Sequence, residues 1–185
     1  MNLDECIKGR RSVRAYTSEP VPKEKVEAIL EAGVWAATAM GRQPWRFIII
    51  ENRDIIKLVS AETKKAVAET LPMFAKHFET DKDLICYDAP MLILICSEKD
   101  ESFRHSNLVD CVLASQNMFL KAYELGLGAC YMGWIDVLVR SRPEVMRQVG
   151  VPEGYDVMVP LILGHPREKQ GSGKRNKPNV LKWIN

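Results

Sequence analysis

Two short stretches of this chain carry apolar side chains at every position: Phe47-Ile48-Ile49-Ile50 and Met91-Leu92-Ile93-Leu94-Ile95-Cys96. Strands that are covered on both faces have this pattern, because neither alternate set of side chains meets water. Val157–Leu163, ending at Gly164, reads the same way, and Gly128-Ala129-Cys130-Tyr131-Met132-Gly133 reads as a strand closing on a glycine. Helical spacing fills the intervals. Pro20-Val21-Pro22 opens the first long helix, and Val26, Ile29, Leu30 and Gly33 form its apolar stripe through about Ala37; Pro fits a first turn, where its missing N–H has no partner to lose. Asp54–Glu69 predicts a helix with Ile55, Leu58 and Val59 on one side, and Pro143–Val149 a shorter one. Asn107–Leu125 predicts a long helix whose wide face carries Val109, Val112, Leu113, Gln116, Leu120 and Tyr123, with Gly126 placed to end it. So apolar a helix is a buried central element or a subunit interface. Helices alternating with short buried strands predict an α/β or α+β fold.

One stretch resists this reading. Leu71–Ala89 mixes Pro72, Met73, Phe74, His77 and Phe78 with charges and has no clean period, so it is expected to be a mobile helix-loop excursion. From Arg167 to Asn179 the composition turns to Lys, Arg, Gly, Asn and Pro, which predicts a flexible polar tail. With 185 residues and no internal repeat or linker before that tail, a single domain over 1–185 is expected.

Charge narrows the function classes. Lys and Arg number 26 against 24 Asp and Glu, for a net charge of +2. This balance argues against a general nucleic-acid binder, which would show a steep salt dependence. The five cysteines (Cys6, Cys86, Cys96, Cys111 and Cys130) include no Cys-x-x-Cys pair, so neither a disulfide framework nor a metal site is expected. The start of the chain lacks the apolar stretch of a signal peptide, and no run approaches about 20 apolar residues; a cytoplasmic protein without membrane contact is the expectation. His77, His105 and His165 are the only histidines, and none sits in the context of a nucleophile triad.

Four segments carry candidate chemistry. Arg10-Arg11-Ser12-Val13-Arg14 places three guanidinium groups and a hydroxyl in five residues, a set suited to a phosphate because Arg offers two parallel charge-assisted hydrogen bonds. Ala37-Thr38-Ala39-Met40-Gly41-Arg42-Gln43-Pro44-Trp45 has small residues that let backbone approach a flat ligand, and Gln43 can match the donor-acceptor edge of a heterocycle. Tyr131-Met132-Gly133-Trp134 ends a strand on a glycine, where a backbone N–H can face a ligand. Lys174-Arg175 adds two cations in the tail. Taken singly, each also fits a plain structural element or solvated charge run.

In order, these segments, together with Gly126-Leu127-Gly128 before the third strand and Leu161-Ile162-Leu163-Gly164-His165-Pro166 near the C-terminus, resemble the FMN-dependent nitroreductase family over essentially the whole chain. The resemblance implies an α+β, three-layer α/β/α fold with a central, mainly antiparallel sheet. It also implies a homodimer with the long helix at the interface and FMN between the subunits, and NADH or NADPH as electron donor. Position by position, Arg10, Ser12, Arg14, Lys174 and Arg175, with Arg11 beside them, match the phosphate and ribityl contacts. Arg14 is also placed to approach the flavin pyrimidine and stabilise its reduced form. Ala37, Thr38, Ala39, Gly41 and Gln43 match the stretch given by the second subunit, and Tyr131, Met132 and Gly133 the strand end over the ring. Ala37-Thr38 stands where the family often has Pro-Ser, and Gly41 where it has Asn. The expected activity is reduction of nitroaromatics, quinones or related small acceptors by a ping-pong cycle, with no obligatory acid–base residue, and Phe74 and Phe78 as lid residues over the pocket. A flavin-storage or sensor protein without turnover is the competing reading.

Overall fold

The computed structural model describes residues 1–171 and 173–184; Ser172 and Asn185, both in the basic tail, lie outside the described residues. The second apolar run forms β2 (Met91–Glu98). Its side chains alternate between two cores: Met91, Ile93 and Ile95 enter one, Leu92, Leu94 and Cys96 the other. Around it lie β1 (Arg46–Ile50), β3 (Gly128–Tyr131) and β4 (Tyr155–Gly164), in the order β1-β2-β4-β3, with every pair antiparallel. On the Leu92 side pack α3 (Arg53–Thr70), α5 (Ile135–Ser141) and α6 (Pro143–Val149). On the Met91 side pack α2 (Lys23–Val34) and α4 (Arg104–Glu124). The result is the expected α+β arrangement of three layers, preceded by the short helix α1 (Leu3–Gly9).

Several boundaries move. Helix α2 ends at Val34 rather than Ala37. Strand β3 ends at Tyr131, and Gly133 sits in a turn that leads into α5, a helix not anticipated from the sequence. The excursion after α3 is not a free loop: Pro72–Phe78 forms a 3-10 helix, and Phe78, Ile85, Cys86 and Ala89 are buried in the α3-side core. Helix α4 separates the two roles its apolar face allows. Asn107, Asp110, Cys111, Ala114, Ser115, Met118 and Ala122 are buried, whereas Leu108, Val109, Val112 and Leu113 are 40–48% exposed. Of the two roles the sequence allows, the apolar stripe containing Val109, Val112 and Leu113 is not internal to one chain.

The N-terminal segment reaches the site by crossing β3. Ser12 bridges to Ala129, the Val13 N–H donates to the Ala129 carbonyl at 3.2 Å, and the Tyr16 hydroxyl donates to the Val13 carbonyl at 2.7 Å. The approach is close enough that a Cβ at Gly128 would lie 2.6 Å from Val13 Cγ2. Gly128→Val is therefore expected to destabilise the fold by about 1–3 kcal/mol through overpacking. The check is a lowered urea midpoint at constant slope; an unchanged midpoint would mean that the segment does not seat here.

Candidate functional site

The two ends of the chain meet. Arg11 donates from Nη1 to the Lys8 and Arg10 carbonyls at 2.8 and 2.6 Å, and from Nε to the Gly171 carbonyl at 3.1 Å. A Cβ at Gly173 would lie 2.7 Å from Arg11 Cζ, so the tail passes directly against this guanidinium. Arg11 thus serves as a clasp between the N-terminal segment and the tail, a role its sequence position does not reveal. Arg10 is half-buried; burial and the nearby charges of Arg11 and Arg175 lower its pKa. Among the described residues, none of Arg10, Arg11, Arg14, Lys174 and Arg175 forms an ion pair with a carboxylate. Converging cations repel one another, and a dianion placed among them relieves that repulsion.

Next along the chain, Ser12 lies within hydrogen-bonding reach of the Cys130 thiol, which also feels the charges of Arg14 and Arg10. All five cysteines are free and buried. Tyr131 is exposed, and its hydroxyl donates to the Asp136 carboxylate. Burial and this bond hold the Tyr131 hydroxyl above its ordinary pKa, and burial raises that of Asp136. The Met132 side chain lies in the α3-side core, so only its backbone is available to a ligand. Gly133 is exposed, and a Cβ there would meet the Tyr131 ring at 3.2 Å.

The Ala37–Gln43 segment is held elsewhere. The Ala39 N–H donates to both carboxylate oxygens of Asp110 at 3.2 Å, and Asp110 is itself buried on α4. Met40, Gly41 and Gln43 all have positive φ, at 54°, 67° and 47°, so Gly41 occupies a left-handed position that favours glycine. Sequence reasoning missed Asp110. Its signal is the helical register that sets it on the buried face with Asn107, Ala114 and Met118. Arg10 and Arg11, by contrast, lie against Phe119 and Tyr123, near the other end of α4. At 1.5 Å of rise per residue, the Asp110 anchor and this cluster are roughly 14–20 Å apart along the helix. One chain does not bring the two halves together.

Two cavities run along α4 and share Phe119. One, of about 220 Å³, is bordered by Arg10, Arg11, Val13 and Tyr123; the other, of about 790 Å³, by Leu108, Val112, Gln116, Tyr131 and Asp136. Arg14 lies apart from both. It lines a cleft on the α3 side with Lys57, Lys64, Tyr87 and Arg167. The structure therefore does not align Arg14 with Arg10 in one cavity, although both reach the neighbourhood of Cys130.

Trp134 joins the excursion to the strand end: Phe74 and Phe78 meet its ring edge-on at 5.2 and 5.3 Å between centroids. Of the two candidate lid residues, Phe74 is exposed and Phe78 is buried against Trp134. Phe78→Ala is expected to cost about 3–5 kcal/mol of stability. Phe74→Ala is expected to leave the fold intact, with an unchanged urea midpoint as the check.

Residues 7–165 match the Nitroreductase family. A nitrobenzene nitroreductase from Ectopseudomonas oleovorans is 36% identical over an alignment that covers 88% of this chain and 86% of that protein. Two solved structures share the fold throughout. A nitroreductase with bound FMN from Bacteroides fragilis has a TM-score of 0.83 at 28% identity, over 100% of this chain and 99% of its own. Another with bound FMN, from Desulfitobacterium hafniense, has a TM-score of 0.85 at 26% identity, over 98% of this chain and 100% of its own. With the family match spanning residues 7–165 and the fold shared along the length of both solved structures, the chain belongs to the nitroreductase family.

Proposed function

We propose that this protein is a homodimeric, FMN-dependent oxidoreductase that takes electrons from NADH or NADPH and passes them to nitroaromatic, quinone or related small acceptors. The observation that carries this reading is the cluster of cations that, among the described residues, have no acidic partners, Arg10 and Arg175 above all, gathered from the N-terminal segment and the tail beside Leu127 and Ala129 at the start of β3. Its chemistry fits a phosphate dianion. In this role Arg10, Ser12, Lys174 and Arg175 bind the phosphate and ribityl chain, and Arg11 holds the tail in place. Tyr131 and the Met132–Gly133 backbone would border the ring, and Arg14, from the neighbouring α3-side cleft, would act on reduced flavin through its charge alone. Bound FMN supplies two-electron transfer between nicotinamide and acceptor.

The dimer completes the site. An antiparallel pairing of two α4 helices about Val112–Leu113 covers the exposed stripe and sets Ser106 of one copy opposite Phe119 of the other. The Asp110 anchor of the Ala37–Gln43 segment then falls roughly 6–12 Å along the seam from the partner's Arg10 cluster, against roughly 14–20 Å within one chain. Thr38 and Gln43 are the polar groups this segment offers. One groove serves donor and acceptor in turn, the geometry of a ping-pong cycle. That cycle predicts parallel double-reciprocal lines, and intersecting lines would contradict it.

The decisive experiment is the visible spectrum of the purified protein. A yellow protein whose released chromophore is FMN, bleached by NADH or NADPH and recoloured by a quinone or nitroaromatic, is expected. A coloured protein that neither nicotinamide bleaches would favour storage or sensing, and a protein that takes up no FMN would end the flavin reading. No helix of the described residues is long and apolar enough to cross a membrane.

A further inference from the structure

One hydrogen bond ties the end of β3 to the first turn of α5, and cofactor binding leaves it without a task. The Tyr131 hydroxyl donates to the Asp136 carboxylate, five residues further on. The local backbone sets this up. Gly133 lies between the two, and a Cβ there would press on the Tyr131 ring at 3.2 Å, so the glycine leaves the ring its place over the turn. Asp136 enters α5 with its own N–H donated to the Gly133 carbonyl at 3.2 Å. Both side chains line the cavity of about 790 Å³, on the wall that β3 and α5 contribute rather than α4. Tyr131 is 45% exposed, and Asp136 is half-buried. Among the described residues that line this cavity, Ser115 carries the other hydroxyl, and it gives its proton to the Val112 carbonyl at 2.7 Å.

Acceptor reduction has a proton to find. A quinone takes one hydride and one proton to become a hydroquinone, and a nitro group takes the same pair to become a nitroso group and water. A positioned acid speeds such a transfer. We infer that the Tyr131 hydroxyl donates this proton to the acceptor oxygen, and that Asp136 is a positioning residue that holds the hydroxyl and restores its proton. The inference rests on the flavin reading above, which supplies the hydride. In the step, the Tyr131 O–H bond breaks as the acceptor O–H bond forms. Protonated Asp136 passes its proton to the phenol oxygen and regains one from solvent. An ionised Asp136 instead captures the Tyr131 O–H and withholds it, so transfer weakens as pH rises through the Asp136 ionisation. Burial raises that ionisation above its ordinary range, while the Tyr131 bond and the charge of Arg140 lower it. The other charged or titratable groups facing the cavity are Arg140 on α5 and Glu101, Arg104 and His105 around the start of α4; the stretch of β4 that lines it, 157–159, is apolar.

The test compares the parent with Tyr131→Phe, Asp136→Asn and His105→Gln, each loaded with FMN and reduced by NADH or NADPH. At each pH the rate of reoxidation by benzoquinone, which needs a proton, is divided by the rate with ferricyanide, which takes single electrons and no proton. Tyr131→Phe is expected to lower this ratio at least about tenfold. The parent's ratio should show a downward step with rising pH that Tyr131→Phe and Asp136→Asn both lack and His105→Gln keeps. Carbon-13 NMR of the flavin-free chain gives a second readout: the Asp136 carboxyl should titrate at higher pH in Tyr131→Phe, because the phenol no longer stabilises the carboxylate. An equal ratio in parent and Tyr131→Phe overturns the donor role. A pH step lost in His105→Gln assigns the proton to His105 and overturns it as well. An Asp136 titration that Tyr131→Phe does not move overturns the coupling of the pair. If the parent binds no FMN, the flavin reading fails and takes the donor role with it.

Discussion

Replacing Arg10 with Gln is expected to lower FMN affinity by 30- to 1000-fold while leaving the fold and the subunit association intact. Arg10 is half-buried beside Arg11 and Arg175, and no carboxylate neutralises it among the described residues. Its charge is therefore uncompensated until an anion arrives. Truncating one partner of a buried charge pair at an interface costs about 2–5 kcal/mol, and the 30- to 1000-fold loss expected here corresponds to about 2–4 kcal/mol. The substitution also relieves repulsion within the free cluster, so the apoprotein is expected to be no less stable than the parent. This combination separates a binding role from a structural one. Arg11→Gln should behave differently: it breaks three carbonyl contacts that join Lys8, Arg10 and Gly171, and so weakens FMN by releasing the tail. Equilibrium titration of each apoprotein, with thermal unfolding recorded in parallel, distinguishes the two. An Arg10→Gln protein that binds FMN as tightly as the parent would show that the phosphate lies elsewhere.

The largest effect on assembly is expected from Leu113→Asp. Leu113 belongs to the exposed stripe of α4, with Leu108, Val109 and Val112. In the dimer proposed here, two-fold symmetry brings the substituted position of each copy to the same seam. Two carboxylates would then be buried near each other, each at a desolvation cost of several kcal/mol. The variant is expected to be monomeric at micromolar concentration, with an ordinary circular dichroism spectrum, because position 113 faces solvent in the single chain. It should also lose FMN, since the Ala37–Gln43 half of the site would no longer be supplied. Analytical ultracentrifugation and flavin content are the measurements. A Leu113→Asp dimer with full flavin content would rule out α4 as the seam.

Much of the architecture was readable from pattern alone, for a physical reason. Strand β2 is buried on both faces, so it left an unbroken apolar run, and the ends of its neighbours fall near glycines at Gly128 and Gly164. The elements that depart from the pattern lack such periodicity. The 72–89 stretch is held by irregularly spaced anchors, Phe78, Ile85, Cys86 and Ala89. Polar bonds also hold it: the Asp83 carboxylate accepts from the Ile85 and Cys86 N–H groups at 3.0 and 2.9 Å. Hydrophobic spacing does not record anchors of that kind. Helix α5 spans seven residues, too few to show a period, and follows directly on the strand-end motif. On α4 the apolar pattern left open whether its wide face is buried in the chain or at a subunit interface, because small and polar residues (Ala114, Ser115, Asn107 and Asp110) fill the inward face while larger ones face out. Residues with a direct chemical signature, such as the arginine run, stood out in the sequence. Residues that act by holding others, such as Asp110, Trp134 and the Arg11 clasp, show their role through long-range contacts that no local motif encodes.

The central claim is that cations from both ends of the chain hold one phosphate, and the most direct test removes that phosphate from the ligand. Binding of FMN and of riboflavin to the apoprotein should be compared by fluorescence quenching at the same ionic strength. FMN is expected to bind at least 1000-fold more tightly, about 4 kcal/mol, with the gap narrowing as salt is raised. Equal affinities for the two flavins would contradict the account.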